Sequence, residues 1–402
     1  MKHNLDKNSD YRQGVIGNGR SAAVIEPDGT IVFACLPDFD SGTVFAQLLD
    51  ADRGGCFGLQ LDGGEAVSQT YERHTNVLVT TFAGPSGSFR VIDFMPRYTW
   101  DGRAGGRGDA PADIVRLIEP VSGKPELRVC YDPRLEYSRF PTSHEIDGQR
   151  IKSITRGEVR PDGENNRRST DVRNIYESLY LYTDLDPADV LAGNAVLIDR
   201  PRYFMVSYHD KVQEPSNDTI HLMLQRTRSY WLLWAARTTL PSGYSEQVLR
   251  SALTLRMLQF DSTGALVAAV TTSMPETIGE TRNWDYRFCW IRDASMTVST
   301  LRRLGHPGMA KRLIDWILRT VPTKDDKLQI MYGLRGEKDL FEETLDHLSG
   351  YLGSRPVRIG NAAHTQQQHD IFGVMLDVIY QDLLLRDRTP EAGRTPAYPP
   401  TY

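Results

Sequence analysis

Residues 283–295 carry the most specific signal in this chain, and their sequence is Asn283-Trp284-Asp285-Tyr286-Arg287-Phe288-Cys289-Trp290-Ile291-Arg292-Asp293-Ala294-Ser295. Aromatic side chains are mixed here with arginines and aspartates, just before a segment of helical character. A pyranose ring offers a C–H face to aromatic rings, and its hydroxyls require the directional donors and acceptors that Arg and Asp supply. The composition therefore suits a sugar pocket, although an aromatic-rich loop closing a hydrophobic core has the same composition.

The overall composition is that of an ordinary globular protein. The 402 residues are 40% hydrophobic and 25% charged with a net charge of -5, which allows two or three domains and argues against nucleic acid or an anionic membrane as a partner. Residues 1–8 lack the apolar core of a signal peptide, and no run approaches the roughly 18 apolar residues of a membrane span. The widely spaced cysteines indicate reduced core thiols in a cytoplasmic protein: Cys35, Cys56, Cys130 and Cys289.

The region 13–215 has the pattern of a β-sandwich, in which short apolar or alternating runs are separated by turn residues. The clearest expected strands are 22–25, 30–34, 76–82, 89–94 and 114–118. Asp28-Gly29 and Asp62-Gly63-Gly64 are predicted hairpin turns. We expect residues 1–12 to be a flexible N-terminus and the glycine-rich stretch 101–110 to be a mobile loop.

The apolar period changes after residue 215, where Ser216 predicts the cap of a linker helix within 216–240. Further helices are predicted at 246–260 with Ser245 as N-cap, 293–304, 309–321 and 367–385. The segment 386–402 contains four prolines and has no apolar periodicity, which predicts a disordered tail.

Residues 286–294 resemble the signature of glycoside hydrolase family 15, the inverting glucoamylases and their trehalase-like bacterial relatives. Residues 328–333 and 345–363 follow the family's pattern in the same order, and residues 16–41 resemble a trehalase-like N-terminal domain. The resemblance implies a multidomain β + α protein, with an N-terminal β-sandwich followed by an (α/α)6 barrel. Residues 241–385 would supply about four of its twelve helices, so we expect a C-terminally shortened member.

The resemblance also implies site residues. Arg292 and Asp293 would hydrogen-bond the hydroxyls of a terminal glucose, Tyr286 and Trp290 would line its pocket, and Arg355, Arg358 and Asn361 would shape the opposite rim. The residues themselves allow a structural alternative, in which Asp293 caps the following helix and Arg292 neutralises a buried carboxylate. Tyr286 and Trp290 fit a hydrophobic core equally well.

Inverting hydrolysis requires two carboxyl groups about 6.5 to 9.5 Å apart, one as acid and one as base. The resemblance places one glutamate shortly after the helix predicted at 367–385 and the other near the end of the barrel, and neither motif is present. No catalytic pair is therefore identified. Within the chain, Glu342 and Glu343 are the weak candidates for an acid, because a run of charges is more often a solvated face.

Two functional hypotheses follow. The first is an exo-acting, inverting hydrolase that releases glucose from an α-glucoside oligosaccharide or trehalose. The second is a non-catalytic remnant that binds sugar weakly or associates with another chain. No cofactor is expected, and the irregular spacing of His347, His364 and His369 does not predict a metal site. Half a barrel would expose apolar helix faces, so self-association is expected.

Overall fold

The computed structural model describes residues 12–98, 110–159, 173–209, 211–321 and 328–386. The predicted flexible N-terminus, mobile loop and disordered tail therefore lie almost wholly outside the described residues. Among those that are described, no helix is long and apolar enough to cross a membrane.

Two antiparallel sheets form the first part of the chain. In chain order their strands are β1 Gly14–Gly17, β2 Ala22–Ile25, β3 Ile31–Cys35, β4 Thr43–Phe45, β5 Cys56–Leu61, β6 Glu65–Tyr71, β7 Leu78–Gly84, β8 Gly87–Phe94, β9 Asp113–Gly123, β10 Glu126–Asp132, β11 Thr142–Ile146, β12 Arg150–Val159, β13 Arg173–Thr183, β14 Val196–Leu197 and β15 Arg202–Tyr208. The first sheet has the order β1-β2-β3-β5-β10-β14, with β4 paired to β3, and the second has the order β11-β12-β13-β15-β9-β8-β7-β6. The predicted sheet-rich N-terminal region is confirmed.

The two predicted hairpin turns have different outcomes. Gly29 adopts a φ of 81° between β2 and β3, and the Thr30 N–H donates to Asp28 Oδ1 at 2.9 Å, so this turn is confirmed. The hairpin predicted at residues 62–64 is wrong, because β5 belongs to the first sheet and β6 to the second. That turn carries the chain from one sheet to the other. Local turn residues specify the bend but not the strand that pairs after it.

The core between the sheets is apolar with one charged bridge. Phe45 and Phe57 of the first sheet pack with Phe204 of the second. Arg116 and Asp93 are fully buried, with Nε and Oδ1 2.8 Å apart, and Arg116 Nη1 also donates to the Phe57 carbonyl at 2.7 Å. Because β9 carries Arg116 in the second sheet, this side chain links the sheets by hydrogen bonds that satisfy its buried charge.

Cys130 differs from the expectation that all four cysteines are core thiols. Alternate residues of β10 face the core, among them Val129 and Tyr131, so Cys130 between them faces outward and is exposed. Cys35, Cys56 and Cys289 are buried. The prediction of a core position was therefore wrong for Cys130, because it ignored the two-residue period of the strand.

The helices are α1 Pro187–Ala192, α2 Asn217–Ala236, α3 Ser245–Leu258, α4 Ile291–Arg303, α5 Pro307–Thr320 and α6 Ile371–Arg386. Ser216 is the N-cap of α2 as predicted, because its Oγ accepts from the Thr219 N–H at 3.1 Å. The prediction that Ser245 caps α3 was wrong. Tyr244, at a φ of 57°, holds the N-cap position and leaves Ser245 inside the helix.

The later helices lie close to their predicted ranges. Helix α4 begins two residues earlier than expected and α6 begins four residues later. Gly305, at a φ of 82°, ends α4, and Pro307 opens α5 where its missing N–H costs no helical hydrogen bond. Helix α4 packs against both α5 and α6. Membership of these helices in an (α/α)6 barrel stays a prediction, as do the domain boundaries.

The sheets and helices share hydrophobic clusters. Ala22 and Phe39, from the sandwich region, pack in one cluster with residues of α2 to α6. Phe33 of β3 packs with Tyr351 in a second cluster, and Ile220 of α2 packs onto residues of the second sheet in a third. The segments that carry the candidate site therefore rest directly on the sandwich.

Candidate functional site

Six short strands bring together the three segments that carry the family resemblance after the sandwich. These are the signature at 286–294, the second motif at 328–333 and the third motif at 345–363. They are β16 Thr272–Pro275, β17 Asn283–Asp285, β18 Cys289–Trp290, β19 Met331–Tyr332, β20 Glu343–Thr344 and β21 Arg358–Ile359. They pair as β16 with β17, β18 with β19, and β20 with β21. Trp290 lies opposite Met331, so the signature is joined by hydrogen bonds to the second motif.

A buried ion pair fixes the signature segment. Arg287 donates from Nε to Asp285 Oδ1 at 2.9 Å and from Nη2 to Oδ2 at 2.7 Å, and the two side chains are 3% and 0% exposed. Asp285 Oδ2 also accepts from the Gly360 N–H at 3.1 Å. Burial opposes the Arg287 charge, but the adjacent Asp285 outweighs it and raises the pKa of Arg287.

Arg287 also anchors this segment to the sandwich. Its Nη1 donates to the Ser41 carbonyl at 2.9 Å and lies 3.3 Å from Cys35 Sγ, and its guanidinium lies 5.6 Å from the centre of the Tyr137 ring. Burial raises the pKa of Cys35 to about 11, so its thiol stays protonated at neutral pH. The sequence prediction missed the structural role of Asp285 and Arg287. Their two-residue spacing, which puts both side chains on one face of an extended segment, was the available signal.

Asn361 supports the same segment from the third motif. It is 4% exposed, and its Nδ2 donates to the Asp285 carbonyl at 2.9 Å. Its Oδ1 accepts from the Ala363 N–H at 3.0 Å. Because both ends of the amide bond to backbone groups, Asn361 holds two motifs together.

Arg358 of the third motif contacts Asn283 and Trp284, which come just before the signature. Its Nη1 donates to the Asn283 carbonyl at 2.9 Å, and its guanidinium lies 4.3 Å from the centre of the Trp284 ring. Its Nε is 3.1 Å from Glu342 Oε1, with both side chains mostly buried. These contacts occupy Arg358 within the protein.

The two weak candidates for a catalytic acid are both held in ion pairs. Glu342 pairs with Arg358, and its Oε2 accepts from the Ala362 N–H at 3.2 Å. Glu343 Oε1 lies 2.8 Å from Arg139 Nη1. Both carboxylates are therefore bound to arginines of this chain, and the structure does not place them as a pair of catalytic acid and base.

Tyr286 and Trp290 form a partly exposed aromatic pair. Their ring centroids are 5.3 Å apart at an interplanar angle of 63°. Trp290 packs against a small cluster that includes Phe288 and Leu340, while Tyr286 is 36% exposed. Partial burial raises the pKa of Tyr286, so its hydroxyl remains a hydrogen-bond donor at neutral pH. The pair offers both an apolar ring surface and a polar tip.

Arg292 and Asp293 lie beside this pair at the start of α4. Arg292 Nε is 3.0 Å from Asp293 Oδ1, and the side chains are 48% and 45% exposed. Trp290 is the N-cap of α4, so Asp293 is not the cap, and Arg292 does not pair with a buried carboxylate. The structural alternative for these two residues was therefore wrong. Arg355 is also exposed, on the segment that precedes β21.

Two of the three histidines considered for a metal site, His347 and His364, bond to the backbone. His347 Nε2 lies 2.8 Å from the Tyr137 carbonyl oxygen, and His364 Nδ1 lies 2.9 Å from that of Asn361. Within the described ranges, no group of three His, Cys, Asp or Glu residues is arranged to hold a metal ion.

A separate cavity of about 160 Å³ lies in the sandwich, and its lining includes Glu136, Glu177 and Tyr208. None of the residues that line this cavity belongs to the three motifs. The exposed aromatic, Arg and Asp side chains at the start of α4 therefore define the candidate site.

A sheet-rich region joined to helices, with aromatic and charged side chains exposed at the helix start, fits the glycoside hydrolase architecture that the sequence resemblance implies. Residues 243–393 match the model of glycosyl hydrolases family 15, and residues 7–158 match that of the trehalase-like N-terminal domain. Residues 243–393 are therefore similar to glycosyl hydrolases family 15, and they follow a stretch that is similar to a trehalase-like N-terminal domain. The resemblance found in the sequence is confirmed.

Three relatives show how much of a longer protein the chain matches. It is 31% identical over 376 residues to a trehalase of Thermoplasma volcanium, covering 91% of this chain and 56% of the relative. It is 32% identical over 400 residues to a trehalase of Mycolicibacterium smegmatis, covering 96% and 58%. For a trehalase of Mycobacterium tuberculosis the identity is 31% over 392 residues, covering 94% and 56%. The chain thus spans a little over half the length of these relatives.

Proposed function

We propose that this chain takes part in the exo-acting, inverting hydrolysis of an α-glucosidic bond, with trehalose as substrate and glucose as product. The names of the three relatives support trehalose, since each is called a trehalase. The observation that carries the proposal is the partly exposed pair of Tyr286 and Trp290 beside the exposed Arg292 and Asp293.

Each exposed side chain has a role in this proposal. Trp290 presents its ring to the C–H face of a glucose unit, and Tyr286 donates from its hydroxyl. Arg292 donates to sugar hydroxyls and Asp293 accepts from them, so their mutual ion pair is exchanged for contacts with the sugar. Arg355 contributes a further donor.

Arg358 and Asn361 act in this proposal as positioning residues. Their hydrogen bonds run to the backbone of Asn283 and Asp285, which come just before Tyr286. They hold the loop in place and do not touch the sugar.

The second candidate function is sugar binding without catalysis. The ion pairs of Glu342 with Arg358 and of Glu343 with Arg139 favour it, because both candidate carboxyl groups already bind arginines of this chain. In this case the catalytic carboxyl groups belong to another chain with which this one associates.

An apolar face on α6 supports self-association. Four large apolar side chains of α6 are exposed and lie on one side of the helix, because they are spaced four residues apart. Their exposed fractions are 41% for Phe372, 58% for Leu376, 57% for Tyr380 and 44% for Leu384. We call these four side chains the α6 stripe. A row of exposed apolar residues is typical of an interaction surface, and we propose that a second copy of the chain covers it.

Glucose release separates the two functions. Purified chain is incubated with trehalose, maltose, isomaltose and maltotriose, and the anomer of the product is followed by NMR. An inverting trehalase initially releases equal amounts of β-glucose from the unit that water attacks and α-glucose from the leaving unit. Binding of trehalose without any release assigns the non-catalytic function, and release of α-glucose alone refutes the inverting mechanism.

Binding is tested with matched aromatic variants. Trp290→Ala should weaken trehalose binding by about tenfold, since an aromatic contact is worth roughly 0.5–1.5 kcal/mol beyond its buried area. Tyr176→Ala is the control, because Tyr176 is an exposed aromatic residue on the sandwich. Saturation-transfer NMR measures both. Equal losses in the two variants would exclude a sugar site at Trp290.

Self-association is tested with two leucines of equal exposure. Leu376 in the α6 stripe and Leu222 on α2 are each 58% exposed. Light scattering should show that Leu376→Glu lowers the average mass while Leu222→Glu leaves it unchanged. A monomeric parent chain would contradict the proposal.

A further inference from the structure

Two cysteines of the sandwich lie next to each other on neighbouring strands. Cys56 begins β5, Cys130 lies in β10, and their Sγ atoms are 3.8 Å apart. In the antiparallel register Cys130 lies opposite Gly58, and Cys56 lies opposite Asp132. The two cysteines are therefore diagonal neighbours on one face of the sheet.

Gly58, which lies opposite Cys130, carries no side chain on the face that the two cysteines share. A Cβ atom at Gly58 would lie 3.6 Å from the Cys130 Cβ, so any larger residue there would place its side chain against Cys130. Without a side chain at position 58, the Sγ atom of Cys130 can approach the Sγ atom of Cys56 to 3.8 Å.

The two thiols differ in access to solvent. Cys130 is exposed, whereas Cys56 is 7% exposed. On its other side β10 pairs with β14 at Glu126 and Leu127, so the Cys130 end of the strand has β5 as its hydrogen-bonded neighbour. A small oxidant can therefore reach Cys130 from solvent. The thiol of Cys56 lies next to Cys130 and is shielded from solvent.

The hydrogen bond between the sulfurs also makes them chemically unequal. Donation from the Cys56 thiol lowers the pKa of Cys130 to about 7, and the same shared proton raises the pKa of Cys56. Burial raises the pKa of Cys289 to about 12, so that thiol is unreactive at neutral pH. An accessible thiolate beside a second thiol is the arrangement found in reversible redox sites.

We propose that Cys130 is an oxidation site for hydrogen peroxide and that Cys56 is its resolving thiol, so that the two form a reversible disulfide between β5 and β10. The inference concerns the sandwich and is independent of the sugar site.

The reaction balances in two steps. The Cys130 thiolate attacks one oxygen of the peroxide, an S–O bond forms, the O–O bond breaks, and hydroxide leaves and is protonated to water. Cys56 then attacks the sulfenic sulfur, an S–S bond forms, the S–O bond breaks, and the oxygen leaves as water with the Cys56 proton. Peroxide gains two electrons and the thiol pair loses two, and a dithiol reverses the reaction by exchange.

The lowered pKa of Cys130 raises its thiolate fraction at neutral pH, and the thiolate is the form that attacks peroxide. Burial raises the pKa of Cys289. We therefore expect hydrogen peroxide to modify Cys130 faster than Cys289 in the same chain.

The test uses the full chain, hydrogen peroxide, the sulfenic acid reagent dimedone and mass spectrometry. The parent chain should give a Cys56–Cys130 linked peptide that dithiothreitol removes. Cys56→Ser should give a dimedone adduct at Cys130, and Cys130→Ser should leave Cys56 reduced. The buried Cys289 is the internal control in every sample. Modification of Cys130 no faster than of Cys289, or a persistent adduct without disulfide in the parent chain, would overturn the proposal.

Discussion

The buried pair of Asp285 and Arg287 gives the strongest prediction for stability. Replacing Asp285 with Asn keeps the side-chain size but leaves the Arg287 charge uncompensated in a site where both side chains are at most 3% exposed. Asp285 accepts hydrogen bonds from the Arg287 Nε, Nη2 and backbone N–H and from the Gly360 N–H. Breaking a buried pair by removing one partner costs about 3–5 kcal/mol. Asp285→Asn should therefore lower the free energy of unfolding by about 3 kcal/mol or more.

The control is an exposed ion pair on the same hairpin. Arg282 Nε lies 3.0 Å from Glu276 Oε2, with the side chains 66% and 41% exposed. Glu276→Gln should cost less than about 1 kcal/mol. The double variant Asp285→Asn/Arg287→Met has no uncompensated arginine charge. Its loss in free energy of unfolding should therefore be smaller than the sum of the losses in Asp285→Asn and Arg287→Met.

Urea denaturation followed by tryptophan fluorescence compares Asp285→Asn, Arg287→Met, their double variant and Glu276→Gln with the parent chain. A loss in Asp285→Asn no larger than that in Glu276→Gln would refute the argument that the buried pair holds the signature segment. Additive single costs in the double variant would show that the two side chains do not interact. Because Asn361 bonds to the Asp285 carbonyl, Asp285→Asn should also weaken trehalose binding.

Three further predictions concern stability. Burial lowers the pKa of His306 to about 4, below about 6.5 in the unfolded chain, so its contribution to stability is complete above about pH 6.5 and is lost as the pH falls toward 4. His306→Gln should flatten the change in urea midpoint between pH 7 and pH 5; an unchanged slope would contradict this. Gly353 and Gly360 both have positive φ, but only at Gly360 would a Cβ collide, with the Phe341 carbonyl. Gly353→Ala should lower the free energy of unfolding by about 1–2 kcal/mol, and Gly360→Ala should lower it more. Equal urea midpoints for the two alanine variants would argue against the collision. Ser216→Ala should cost about 1 kcal/mol through the lost cap of α2, and an unchanged thermal melt would contradict it.

Local sequence rules predicted elements whose signals lie within a few residues. Strand β2 occupies the predicted residues 22–25, and Ser216 caps α2 because a cap requires only its own hydroxyl and the next turn. The turn at residues 62–64 was placed correctly as a bend, but its connection between sheets depends on distant strands. Tyr244 was missed as the start of α3, because non-glycine residues seldom adopt positive φ.

The candidate site was predictable in part. The resemblance located the segments that the structure brings together, and Tyr286 and Trp290 are paired with partly exposed rings. The roles of Arg358 and Asn361 in sugar binding stay predictions, while their contacts within the protein depend on three segments meeting in space. The buried pair of Asp285 and Arg287 was missed because charged residues beside aromatics suggested exposed polar contacts.

The hydrophobic clusters shared by the sheets and helices determine whether the two stretches matched by family models could exist separately. Two family models match separate stretches, 7–158 and 243–393, as though they were independent modules. Yet Phe33 of the first stretch and Tyr351 of the second are buried in one cluster, as are Phe39 and the residues of α4. A fragment ending between the stretches would expose both halves of these clusters to water. Each stretch thus supplies apolar surface that the other buries, and a recombined version of either stretch would need a partner with the same apolar surface.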